Sequence, residues 1–244
     1  MIITSVNNEY IKELNKLKIK KYRDQKHLFL VEGKHLVQEA YKTNKLKQLI
    51  IKQGIEYDID LKDIIVVSDD VIRKLSTTVS TIDMIGVCEI VDNDALFGDK
   101  IIMLDKVQDP GNVGTIIRTA LAFGFKDIFL SYDSADIHNE KVIRSSQGAI
   151  FSTNIRYFNT KEVIKMLKEH GYIVYGTALK DSKALSNFKS VKKLALVFGN
   201  EGQGISKEIL DTTTANIFIE IAEFESLNVA IAASICMYHF ASKD

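Results

Sequence analysis

The sequence predicts an α/β protein in two parts, a small α/β unit followed by a parallel sheet covered by helices. Three observations carry that expectation. The chain has 244 residues, 46% apolar and 26% charged, which suits one large or two modest folded domains and excludes a disordered or fibrous chain. From residue 100 onward short apolar runs alternate with helical patterns, as in a sheet buried on both faces. A polar stretch with one glycine, 92–99, separates that region from the rest and is the best linker candidate. The expected division is therefore 1–91, a linker at 92–99, and 100–244.

Each element has a local reason. Asn7 or Asn8 caps a helix whose Ile11, Leu14 and Leu17 fall at helical spacing. A short strand at 27–31 runs through Glu32 and Gly33 into a helix carrying Leu36, Val37 and Ala40. Apolar runs at 48–51, 64–67 and 85–91 complete the first unit. The second part reads as strand 101–104, helix 113–123, strand 128–130, and helices near 140–147 and 160–169. Strands 172–177, 194–198 and 216–221 and a long helix from 226 finish the chain. The uncharged stretch 226–242 carries Ser226, Asn228, Ser234, His239 and Ser242, so a buried helix is expected rather than a membrane span. The N-terminus lacks the apolar core of a signal peptide, and a cytoplasmic protein is expected.

Cys88 and Cys236 are too few for a disulfide framework or a four-thiolate zinc site, and the five histidines (27, 35, 138, 170 and 239) are scattered, so no metal is expected. The formal net charge of zero argues at first against a nucleic-acid partner. It hides an uneven distribution. Residues 1–52 hold 12 Lys/Arg against 5 Asp/Glu, and residues 53–99 hold 3 against 11. The basic block is densest at Lys16, Lys18, Lys20, Lys21 and Arg23, which serve either as a solvated helix face or as a phosphate-facing stripe.

Three loops follow strands, and in parallel sheets ligands bind beyond the carboxyl ends of strands. In the first, Pro110 (the only proline) and Gly111 make a tight turn, and Asn112 is a natural N-cap. Arg118 lies one turn beyond Gly114; it suits an anion at a helix start, or pairs with a nearby acid. The second loop has Gly199, Gly202 and Gly204 around Asn200 and Glu201, a glycine density expected where backbone turns sharply or crowds a ligand. Its spacing fits neither a phosphate loop nor a dinucleotide fingerprint. In the third, Ser226 or Asn228 caps the last helix, whose Ala230, Ala232, Ala233 and Ser234 permit close packing or an oligomer interface.

Taken together, Asn-x-Gly-x-x-x-Arg-x-Ala at 112–120, Phe-Gly-x-Glu-Gly-x-Gly at 198–204 and Ser-Leu-Asn-Val at 226–229 resemble, in order, the three motifs of the SpoU-type RNA ribose 2′-O-methyltransferases of the SPOUT superfamily. The segment Arg144-Ser145-Ser146-x-Gly148-Ala149-Ile150 looks like that family's intervening stretch, and residues 1–91 look like the RNA substrate-binding domain often fused in front. The resemblance implies a deep trefoil knot, a homodimer formed through the C-terminal domain, and S-adenosylmethionine as cofactor. It implies cofactor contacts at Thr177, Ala178, Gly199, Asn200, Gly202, Ile219, Ile221, Leu227 and Asn228. It gives Arg118 the catalytic role, acting across the dimer either as base or as phosphate anchor, with Asn112, Glu201, Ser226 and Asn228 orienting it and the ribose. Lys16, Lys18, Lys20, Lys21, Arg23 and Arg144 are the implied RNA contacts. Two positions depart from the pattern: Glu220 stands where the family usually has proline, and Ala230 where it usually has a second serine. Ribosomal RNA is the expected substrate. Transfer RNA is the alternative, as is a catalytically silent RNA-binding assembly factor on the same fold; a Rossmann oxidoreductase is disfavoured because only Gly33 follows the first strand.

Overall fold

The protein is described by a computed structural model covering every residue except 1, 79, 92–96, 224–225 and 242–244, so most of the expected linker lies outside the described residues. Contacts divide the chain into two compact units, Met1–Asp92 with Asp136–Phe151, and Asn93–Ala135 with Ser152–Asp244.

The first unit runs β1 (Ile2–Ile3), α1 (Glu9–Asn15), α2 (Lys20–Lys26), β2 (Leu28–Glu32), α3 (Lys34–Lys42), β3 (Leu46–Lys52), β4 (Ile64–Val67), α4 (Asp69–Leu75) and β5 (Met84–Glu89). Asn8 caps α1, its side chain accepting from the Tyr10 and Ile11 amides. The sheet order is β1-β4-β3-β5-β2, with β5 antiparallel to both neighbours. Ile11, Leu14 and Leu17 pack on Ile50, Val71, Ile72 and Leu75, so the predicted helical spacing of the first three residues is a core-facing stripe.

The second unit opens with β6 (Lys100–Leu104), α5 (Pro110–Ala122) and β7 (Asp127–Ser131). The chain then supplies α6 (Glu140–Ser146), which groups with the first unit rather than with a continuous 100–244 domain. The reason is specific packing. Asp136 pairs with the buried Arg23, and the rings of His138 and Phe151 lie 4.6 and 6.2 Å from that of Phe29.

Next come β8 (Asn154–Phe158), α7 (Thr160–Glu169), β9 (Ile173–Thr177), β10 (Lys183–Ala184), β11 (Leu194–Phe198), α8 (Lys207–Leu210), β12 (Ala215–Phe218) and α9 (Val229–Phe240). Their sheet is all parallel, ordered β10-β12-β9-β11-β6-β7-β8. Every residue of β11 is buried, as its uninterrupted apolar sequence requires. Parallel pairing brings the carboxyl ends of β6, β7, β9 and β11 to one edge. Several expected boundaries move: α5 starts at Pro110 rather than 113, β5 stops at Glu89 rather than 91, the last strand stops at Phe218 rather than 221, and the last helix starts at Val229 rather than 226. Among the described residues no helix is long and apolar enough to cross a membrane.

Candidate active site

The three loops meet in one hydrogen-bonded chain. The Asn112 side-chain amide donates to Glu201 Oε1 (3.0 Å), and the Asn228 amide donates to Asn112 Oδ1 (3.0 Å). Glu201 also accepts from the backbone amides of Gln108 (3.2 Å) and Asp109 (3.0 Å). Burial pulls the Glu201 carboxyl upward, but the bonds from Asn112 and from backbone amides outweigh it and hold the pKa below the ordinary carboxylate value. Glu201 is thus an ionised acceptor at neutral pH and a poor base, suited to holding loops together.

Asn112 is free for this role because it is not the cap. Asp109 caps α5 and accepts from the Asn112 amide (2.9 Å), with Pro110 at the first helical position. Asp109 and the Gln108 amide were not legible as site groups, although an Asp-Pro pair opening a helix is a capping signal. At α9 the cap is Asn228, which accepts from the Ala230 and Ile231 amides (2.9 and 3.4 Å), not Ser226. Ser226 is exposed and hydrogen-bonds no described residue. The Arg118 side chain is likewise exposed, with no hydrogen bond or ion pair to any described residue. An arginine left in water on a helix otherwise buried at Val113, Ile116, Ile117 and Ala120 adds nothing to the unit's packing.

The glycine loop is built for its own turn. Asn200 and Gly204 pair as an isolated antiparallel bridge, and a Cβ on Gly199 would come within 2.3 Å of the Gly204 carbonyl carbon. That crowding, rather than room for a ligand, fixes glycine at 199. Asn200 Oδ1 accepts from the Gly202 and Gln203 amides (3.0 and 3.1 Å), and its amide donates to the Lys106 carbonyl (3.0 Å). A Cβ on Gly202 would meet nothing closer than 3.7 Å, so that position is open. Thr177 donates to the Val197 carbonyl and the Ala178 amide donates to that of Ile217, both at 3.0 Å. Beyond Phe218 the ladder ends, leaving the peptide groups of Ile219–Ile221 outside strand pairing. Glu220 bonds the Ser186 hydroxyl; that bond and backbone amides hold its carboxyl below the usual range. Where proline would stiffen the stretch, a carboxylate ties it down. Ile219, Ile221 and Leu227 are half-buried and Gly202 is open, the kinds of group that can hold an adenosine-type cofactor. A separate cavity of about 650 Å³, lined by Lys100, Lys126, Asp127 and Lys192 among others, lies at the opposite, amino-terminal edge of the strands. No cluster of three metal-ligating side chains occurs among the described residues.

In the first unit the basic block disperses. Arg23 is 5% exposed, its guanidinium bonded to the Leu17 carbonyl (2.9 Å) and to Asp136, so it is an internal strut and not part of a phosphate-facing stripe. Lys18 donates to the carbonyls of Lys74 and Ser76 (2.9 and 3.0 Å), and burial lowers its pKa. Lys16 and Lys20 pair with Glu13 and Asp24 at the surface. Lys21 and Arg144 are exposed, with no ion pair to a described residue.

An all-parallel sheet carries this loop network, and the network gathers the three motifs that resemble those of the SpoU-type methyltransferases; motifs and fold together give the class. Comparison with known proteins agrees. Residues 99–238 match the SpoU rRNA Methylase family and residues 8–86 the MRM3-like substrate binding domain. The chain is 36% identical over 242 residues to the 23S rRNA (guanosine(2553)-2′-O)-methyltransferase RlmP of Bacillus subtilis, covering 97% of this chain and 98% of that one. Among solved structures it is similar to a TrmH-family protein from Porphyromonas gingivalis (30% identity, 97% and 98% coverage, TM-score 0.86). It is also similar to an AdoMet-bound rRNA methyltransferase from Sinorhizobium meliloti (28% identity, 98% and 96% coverage, TM-score 0.87). The chain belongs to the SpoU rRNA methylase family.

Proposed function

We propose that this protein transfers the methyl group of S-adenosylmethionine to a ribose 2′-hydroxyl of ribosomal RNA in the cytoplasm. The observation that carries the reading is the Asn228–Asn112–Glu201 chain, which joins three separate loops at one sheet edge while the Arg118 side chain pairs with no described residue. The bound cofactor supplies an electrophilic sulfonium methyl. The residues of Thr177–Ala178, Gly199–Gly202, Ile219–Ile221 and Leu227–Asn228 would hold it through backbone groups and apolar side chains. Arg118 binds the phosphate beside the target ribose and polarises its hydroxyl. A guanidinium stays protonated, so it acts as anchor and not as base. With the methyl group so supplied, this chain's part would be to orient the 2′-hydroxyl, whose proton would leave to substrate phosphate or water. Asn112, Glu201 and Asn228 position this machinery, and Ser226, whose hydroxyl bonds no described residue, contacts the ribose.

The reading includes a homodimer through α9. Ile231, Ile235 and Tyr238 recur at helical spacing, stay 50%, 37% and 59% exposed, and form an apolar stripe. Tyr238 meets Phe123 at the end of α5 edge-on, with centroids 5.8 Å apart. Arg118 on α5 then acts across the dimer. The reading also includes the family's trefoil knot, which the insertion of β11 between β6 and β9, and of β12 between β9 and β10, supports. Lys21 and Arg144 contribute phosphate contacts, with Lys16 and Lys20 able to leave surface pairs that are worth little.

The test is transfer of tritiated methyl from S-adenosylmethionine to unmodified ribosomal RNA, with cofactor binding followed by calorimetry. The expected result is ribose-borne label for the wild type and a loss of more than about 100-fold in Arg118→Ala with cofactor affinity intact. No cofactor binding and no transfer, with RNA still bound, would make the chain a silent assembly factor. Label on transfer RNA alone would move the substrate.

A further inference from the structure

Tyr132 opens the turn after β7, at the same carboxyl edge of the sheet as Asn112 and Glu201. At 73% exposure it is the most exposed of the large apolar side chains among the described residues. Such a ring adds little to the core, yet its surroundings are fixed. It lies nearly parallel to the Tyr157 ring, with centroids 6.3 Å apart and 17° between planes. Tyr157 is itself pinned, its hydroxyl donating to the Ala135 carbonyl (3.0 Å). The turn is tied to the first site loop at three points. The Lys106 amide donates to Ser131 Oγ (2.8 Å), the Ser134 hydroxyl to the Leu104 carbonyl (3.2 Å), and the Ala135 amide to the Val107 carbonyl (2.9 Å).

Lys106 has a left-handed φ of +59°, a conformation a lysine keeps only where neighbours hold it. Here Ser131 holds its amide and Asn200 its carbonyl. Its ammonium is exposed and pairs with no described residue. A fixed, water-facing aromatic ring next to Ser131, which holds the Lys106 backbone, and a lysine that pairs with no described residue share the edge that carries the catalytic loops. That matches the way unpaired nucleotides are held: base on ring, phosphate on ammonium.

We infer that Tyr132 is a stacking platform for an unpaired base of the RNA substrate adjoining the methylated nucleotide, with Lys106 as its phosphate contact. This rests on the RNA-methyltransferase reading above and names a substrate subsite within it. Asp133 follows Tyr132 and is also exposed. Removing the ring leaves Lys106 in place, so the counterion release from its phosphate contact is unchanged and the loss reports stacking alone.

The test measures binding and methylation of 23S ribosomal RNA transcribed in vitro by the full-length protein, at several salt concentrations. Tyr132→Ala is expected to weaken RNA binding about 5- to 100-fold and to raise KM, with kcat within about threefold of wild type. Cofactor affinity and the slope of log affinity against log salt stay unchanged, and Tyr132→Phe and Tyr132→Trp stay within about twofold of wild type. Wild-type affinity and KM in Tyr132→Ala would overturn the platform while leaving the methyltransferase reading intact. Equal losses in Tyr132→Phe and Tyr132→Ala would also overturn it, because they would make the hydroxyl and not the ring the active part. A wild type that neither binds nor methylates RNA would overturn both.

Discussion

Replacing Asn112 with aspartate is expected to damage methyl transfer more than replacing it with alanine. Asn112 donates to Glu201 Oε1 and accepts from Asn228 Nδ2, both at 3.0 Å. Alanine removes one bond to a charged acceptor and one neutral bond. Both are open to solvent, so the low ends of their ranges apply and the loss is about 2 kcal/mol. If all of it falls on the transition state, kcat/KM drops about thirtyfold. Aspartate keeps the acceptor for Asn228 but turns the donor facing Glu201 into a second carboxylate. Two charges about 3 Å apart repel by about 1.4 kcal/mol in bulk water and about 5 kcal/mol at an effective dielectric of 20. For an exposed pair the lower figure governs. The total is about 3 kcal/mol, or about 150-fold. Glu201→Gln in the Asn112→Asp background puts a donor opposite the new carboxylate and should recover at least about tenfold. Glu201→Gln alone should lose activity, because the Gln108 and Asp109 amides then share a single acceptor oxygen. The assay is kcat/KM for methyl transfer, with calorimetry on the cofactor and thermal melts as controls. Equal defects in Asn112→Asp and Asn112→Ala, with no recovery in the double variant, would refute the claim that this bond holds the loops in register.

Other outcomes follow from the same geometry. Burial lowers the His138 pKa to about 4. Below about pH 6.5 the unfolded chain takes up a proton that the folded chain refuses, so stability falls as pH drops from about 6.5 toward 4. The loss from pH 7.5 to pH 5 is about 2 kcal/mol, read by urea melts, and His138→Phe should flatten the profile. Ile235→Asp puts a charge into the exposed α9 stripe and should convert a dimer to a monomer in light scattering. Lys21→Glu should weaken RNA binding and lower its salt slope by about one, at unchanged melting temperature. Lys18→Met should instead lower the melting temperature, because the Lys18 ammonium holds two backbone carbonyls.

The sequence was most legible where one local rule decided the outcome. β11 is a bare apolar run, α1 has a cap and a helical stripe, and the three motifs lie on the loops at the sheet edge. It was least legible where distant residues decide. Arg23 sits in a basic cluster and reads as surface, yet Asp136, far along the chain, draws it inside. The same contact explains why residues 136–151 pack with the first unit, which no periodicity within the segment announces. β8 escaped pattern reading because Asn154 and Arg156 interrupt its apolar residues and it is half-buried along its length. Between Asn112 and Asp109 both residues are good caps, and only the position of Pro110 at the first helical residue decides for Asp109. Glu220 reads as a departure from a motif, while its partner Ser186 shows what the carboxylate does.

The measurement that tests the central claim most directly is ribose-methylation mapping of total RNA from cells with and without the gene. The expected result is that a ribose mark in ribosomal RNA disappears on deletion, returns with the wild-type gene and does not return with Arg118→Ala. An unchanged methylation map, with the protein expressed in the parent cells, would contradict it.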